Sequence, residues 1–156
     1  MLELNFNGLY EQTDKRKFKL VSGATFDVTL LAWEQSFDVF QELVKEMEKI
    51  DGKGLVLEKI TESDLDFFQR AICQILGSQK LLDVARRCLK VCIYNGMKID
   101  PKVTFELENA RGDFLVCCFL AIKENISPFL SNLISYLKEK FLVALAQTPI
   151  EKEMIQ

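Results

Sequence analysis

The residues best suited to chemistry in this chain are cysteines, since it has five of them and no histidine. Cys88 and Cys92 lie four apart, so on a helix they share one face. Adjacent Cys117 and Cys118 form a second pair, and four converging thiolates are a ligand set for zinc. Against that, no Cys-x-x-Cys knuckle occurs, neighbouring cysteines on a helix point about 100° apart, and an uncoordinated cysteine behaves as a small apolar core residue. The thiols therefore read as core filling, with no metal and no other cofactor. The odd count and the absence of a short spaced framework point to reduced thiols in a cytosol-like compartment.

Lack of histidine removes the commonest acid and base near neutral pH, along with Ser-His and Cys-His nucleophile pairs. Carboxylates remain, but Glu62, Asp64 and Asp66 crowd a helix start, where the positive end of the helix dipole already favours them. Arg111-Gly112-Asp113 spells an adhesion tripeptide, yet it falls inside a helical pattern rather than an exposed loop. Its glycine, costing about 1 kcal/mol within a helix, marks a helix beginning or a close helix crossing. Neither a phosphate loop nor a dinucleotide glycine pattern is present. The expectation is a protein that binds rather than catalyses, with no catalytic residue.

The elements that would position these residues divide the chain. Phe18 and Leu20, then Phe26, Val28 and Leu30, alternate with polar residues on either side of Ser22-Gly23-Ala24, which predicts a β-hairpin. Leu4 and Phe6 hint at a further strand, followed by the polar stretch Glu11–Lys17. From Ala32 the period becomes helical: Trp33, Phe37, Phe40, Val44 and Met47 form an amphipathic stripe ending near Ile50, read as packing within a bundle. A second helix starts at Thr61 and carries Leu65, Phe68, Ile72 and Ile75. A third runs from Gln79 to Asn95, stopped by Gly96. Asp100-Pro101 opens a short helix or turn, Asn109–Asn125 is the fourth long helix, and Ser127-Pro128 starts the last, ending before Pro149. The predicted fold is mainly α (α+β), a bundle of about five helices with an N-terminal β-hairpin. Residues 1–31 hold the hairpin, 32–148 the helices and 149–156 a flexible tail, all in one domain.

A net charge of −3, from 20 basic and 23 acidic side chains, offers no broad positive field for nucleic acid. Lys15-Arg16-Lys17 reads as a solvated turn or strand. Met1–Asn5 lacks the charged and apolar regions of a secretory signal. The most apolar segment, Phe114–Ile122, is shorter than the ~20 residues of a membrane span, so no membrane helix is expected and the location expected is cytoplasmic. Apolar residues make up 49% of the chain, with 12 phenylalanines and one tryptophan, enough for a core and for a helical face reserved for a partner. Trp33, Phe37 and Phe40 are the candidate partner contacts, with Phe67, beside rather than on its stripe, a fourth.

The order of a small hairpin followed by amphipathic helices, with Ala110-Arg111-Gly112-Asp113-Phe114 and Asn125-Ile126-Ser127-Pro128-Phe129, resembles short tail-assembly chaperones of long-tailed bacteriophages. The resemblance covers the hairpin and about a third of the remainder, and carries over no catalytic residue. It implies a helical helper in the host cytoplasm that binds the helix-rich tape-measure protein during tail construction. The alternative is a structural protein of a virion or other assembly, using the same apolar faces for homo-oligomeric contacts.

Overall fold

A computed structural model describes residues 8–51 and 78–155. Its order is β1 (Tyr10–Asp14), β2 (Lys17–Leu20), β3 (Thr25–Asp27), α1 (Trp33–Asp51), α2 (Gln79–Leu89), β4 (Ile93–Tyr94), β5 (Met97–Lys98) and α3 (Glu108–Ile155). The five strands form one antiparallel sheet in the order β1-β2-β3-β4-β5. This corrects the expected five-helix bundle: among the described residues there are three helices and a five-stranded sheet. The helix expected at residues 61–76, the strand through Leu4 and Phe6, and Phe67 lie outside the described residues.

The hairpin of β2 and β3 follows from the alternation. Phe18 pairs with Phe26, and Phe18, Leu20, Phe26 and Val28 are buried while Lys19 and Thr25 face outward. Gly23, at φ +95°, makes the turn in a region that other residues rarely enter. The stretch Glu11–Lys17 contains an edge strand and its turn, with a bulge between Gln12 and Asp14 and Arg16 at φ 58°. Its solvated side chains gave no apolar period to read.

Two other differences separate the structure from the expected bundle, one adding strands and the other merging the last two expected helices into one. Asn95-Gly96 does not end a long helix. Both residues have positive φ, 50° and 79°, and form the two-residue turn between β4 and β5. α2 stops at Leu89, and the chain reverses to pair Phe26 with Tyr94 and Asp27 with Ile93. Asn95 secures the join, its N–H donating to the Thr25 carbonyl at 2.8 Å and its Oδ1 accepting from the Thr25 N–H at 3.0 Å. Secondly, α3 runs straight through Pro128. An interior proline costs about 3 kcal/mol in a helix, but Ile126 and Leu130 on either side are buried, and each such side chain is worth roughly 1.5–3 kcal/mol on burial. The flanking burial outweighs the lost hydrogen bond.

α3 is the centre of the molecule. Seven consecutive residues, Val116 to Ile122, are buried, which requires neighbours on every side. The sheet supplies Phe18, Leu20 and Phe26, α1 supplies Val39 and Leu43, and α2 supplies Leu81, Val84, Ala85, Cys88 and Leu89. The portion Glu108–Ser131 is long and apolar enough by itself to cross a bilayer, because Lys123 and Glu124 do not interrupt the helix. Its packing against the sheet and two helices accounts for that composition. Gly112 lies in the first turns of α3 with open space where a Cβ would project, so it marks a helix beginning and not a close crossing.

Candidate functional site: an aromatic face on α1

The aromatic stripe read from the sequence is not the one α1 buries. Ser36, Val39, Leu43 and Glu46 point into the molecule, whereas Trp33 is 71% exposed and Phe37 39%. Phe40 and Val44 are half-buried at the boundary. The helix thus carries two stripes, and its larger aromatic rings lie on the outer one. A lone exposed apolar residue is ordinary, but these rings are gathered. Phe37 meets Phe129 of α3 edge-on at 5.6 Å between centroids, Phe40 lies 6.0 Å from Phe129, and Phe37 and Phe40 are 6.3 Å apart. Trp33 stands one turn before Phe37 on the same face. The structure therefore places Trp33, Phe37 and Phe40 along one face and adds Phe129. Its signal in the sequence was the tripeptide Ser127-Pro128-Phe129, which reads as a helix start unless the helix is known to continue.

Buried polar groups fix the N-terminal end of this face. Asn125 on α3 is 1% exposed, and its Oδ1 accepts from the Leu31 N–H at 3.0 Å and from the Ser36 hydroxyl at 2.9 Å. Its amide donates to the Ala121 carbonyl at 2.8 Å. Leu31 and Ser36 flank Trp33, so one side chain in the central helix sets where the indole leaves the surface. α1 is tied to α2 at the other end. The Ser78 hydroxyl donates to Glu46 at 3.2 Å while capping α2 by accepting from the Leu81 N–H, and Arg87 pairs with Glu42. The aromatic face is carried on a helix braced at both ends.

Residues that could do chemistry are arranged otherwise. Cys88, Cys92, Cys117 and Cys118 are all buried and free. Burial pushes their thiols up, to about 12 for Cys88 and Cys118 and about 11 for Cys92, with Cys117 raised further by burial and by the neighbouring Cys118 and Asp113. Protonated thiols are poor nucleophiles and poor metal ligands. Among the described residues no group of three or more histidine, cysteine or acidic side chains is arranged to hold a metal ion. These four cysteines are expected to resist alkylation at about pH 8, where ordinary thiols begin to ionise, until the chain is unfolded. Peptide-resolved mass spectrometry after iodoacetamide checks this, and rapid labelling of Cys88 or Cys118 in the folded protein would contradict it.

Asp113, the acid of the adhesion-like tripeptide, is buried at 4% exposure. Its Oδ2 accepts from the Tyr94 hydroxyl at 2.6 Å and from the Ser22 hydroxyl at 2.7 Å. Burial and then the bond to Asp113 push the Tyr94 phenol well above its usual range. This carboxylate holds the sheet to α3 and is not displayed for recognition. No protein-family model, curated protein or solved structure matches this chain.

Proposed function

We propose that this protein is a non-enzymatic binding module that receives an apolar helical segment of another protein on the face formed by Trp33, Phe37, Phe40 and Phe129. The observation carrying this reading is that α1 turns its most aromatic stripe outward while a second, smaller stripe supplies the core. Exposed aromatic residues are where binding energy concentrates, since rigid rings contribute large contact area with little rotamer entropy to lose. A helix laid along the face shared by α1 and Phe129 of α3 is the recognition mode that fits, with side chains at i, i+3, i+4 and i+7 meeting the rings. The absence of histidine from the sequence and the buried, protonated thiols favour binding over catalysis.

The resemblance to phage tail-assembly chaperones gives this activity a setting. The client would be the tape-measure protein, a long helix-rich chain bound in the host cytoplasm during tail construction. Affinity capture from the native producing cell tests the reading. Wild-type protein is expected to retain a helix-rich client, and Trp33→Ser with Phe37→Ser to lose it by roughly 10- to 100-fold in affinity, the range expected when one or two interface aromatics are truncated, while the circular dichroism of the folded chain is kept and Trp33→Ser alone, at a 71% exposed position, leaves thermal stability unchanged. Retention of the same client by the double variant would remove the face from the account. Mass spectrometry of purified particles separates a chaperone, which is missing there, from a building block present in many copies.

A further inference from the structure

Beside the aromatic row on α1 runs a second exposed row. Glu34 follows Trp33 and Asp38 follows Phe37, each one position on, so the two carboxylates stand a turn apart along the flank of the rings. Among the described residues neither is paired with a cation, whereas Glu42, one turn further, is held by Arg87. Gln41 is neutral, and Lys45 lies seven residues, about 10 Å, beyond Asp38 along the helix. The N-terminal two turns of the face therefore combine apolar rings with two exposed carboxylates, Glu34 in the first turn where the helix dipole favours it and Asp38 beyond, that no cation among the described residues pairs.

That combination discriminates between occupants. A second copy of this chain using the same face would form an isologous contact, each copy presenting the same patch. It would gather four carboxylates, two from each copy, around one small aromatic contact, and like charges at an interface oppose association. A distinct helix with lysine or arginine flanking its apolar stripe would instead place opposite charges over Glu34 and Asp38 while its stripe covers Trp33 and Phe37. We infer that the segment received by this face is a basic-flanked amphipathic helix of a different protein. The inference rests on the docking reading above and names the chemistry of its partner.

Two synthetic peptides of about 18 residues, long enough to sustain a helix, isolate the charge. Both carry the same leucine and phenylalanine stripe, one flanked by lysines and the other by glutamates. Calorimetric titration of the full chain is expected to show the lysine peptide binding about tenfold more tightly at low ionic strength. The ratio should fall towards one as salt shortens the Debye length to a few ångströms, roughly 3 Å at 1 M. The Glu34→Lys, Asp38→Lys double variant should reverse the preference. Equal binding of both peptides, or binding of neither, overturns the inference, as does a sedimenting dimer that Phe37→Ser dissolves. The two readings fail separately. If Trp33→Ser with Phe37→Ser loses the cellular client while the peptides bind equally, the face stands and its charge selectivity falls. If that variant keeps the client, the docking reading itself falls.

Discussion

Raising the pH from about 9 to about 11 is expected to remove most of the stability of this fold, because the unfolded chain can ionise thiols that the folded core keeps protonated. The unfolded thiols titrate near their ordinary value of 9.0, while burial lifts Cys92 to about 11, Cys88 and Cys118 to about 12, and Cys117 higher still. Below 9.0 both states hold these protons and the contribution is fully present. Between that value and about 11 the unfolded state binds fewer protons than the folded one, so stability falls as pH rises. Each thiol adds more than 1 kcal/mol per pH unit and the four together roughly 5, against a total of about 5–15 kcal/mol for a typical domain. Tyr94, also raised by burial and by Asp113, steepens the loss above about pH 10, where free phenols ionise. Urea denaturation at a series of pH values measures the slope. Cys88→Ala, which removes one of the four titrating groups, should lower it by about a quarter. A stability profile that stays flat through this window would mean that the thiols reach water in the folded state.

Replacing Asp113 by alanine is expected to destabilise the protein by about 2–4 kcal/mol, the scale for removing a charged hydrogen-bond partner from buried donors. The Tyr94 hydroxyl would lose its acceptor inside the core, and the β2–β3 turn would lose the Ser22 tether to α3. Ser22 itself is exposed and can turn to water, so most of the cost belongs to Tyr94. Tyr94→Phe alone should cost less, about 1–2 kcal/mol, because Asp113 keeps Ser22. A double-mutant cycle by chemical denaturation should give a coupling of about 1–2 kcal/mol between the two. Independent, additive effects would show that the short contact adds nothing to the fold.

These residues also mark what the sequence made legible. Alternation around Gly23 located the β2–β3 hairpin, because one face of that ribbon is buried and the other wet. β1 was hidden since its exposed side chains, Glu11 to Asp14, present no apolar period. Asn95-Gly96 carried the strongest hairpin signal in the chain. It was masked by the helical spacing of Cys88, Cys92 and Ile93, which lie within six residues of sequence but belong to a helix, a connection and a strand. Pro128 looked like a helix boundary because the rule describes local cost, and burial of the turns on either side is a tertiary gain that no local rule contains. The candidate site was partly legible. Trp33, Phe37 and Phe40 share a helical face by spacing alone, but the side on which that face lies depends on Val39 and Leu43 taking the core, and on Phe129 arriving from α3.

Because Trp33 is the only tryptophan in the chain, its fluorescence reports directly on the central claim that the outer face of α1 is open in the free protein and covered in the complex. Emission from the purified protein is expected to be that of a water-exposed indole, and titration with the captured client should shift it to the blue and saturate. Emission already typical of a buried indole before any partner is added, or an unchanged spectrum once the client is bound, would contradict the account.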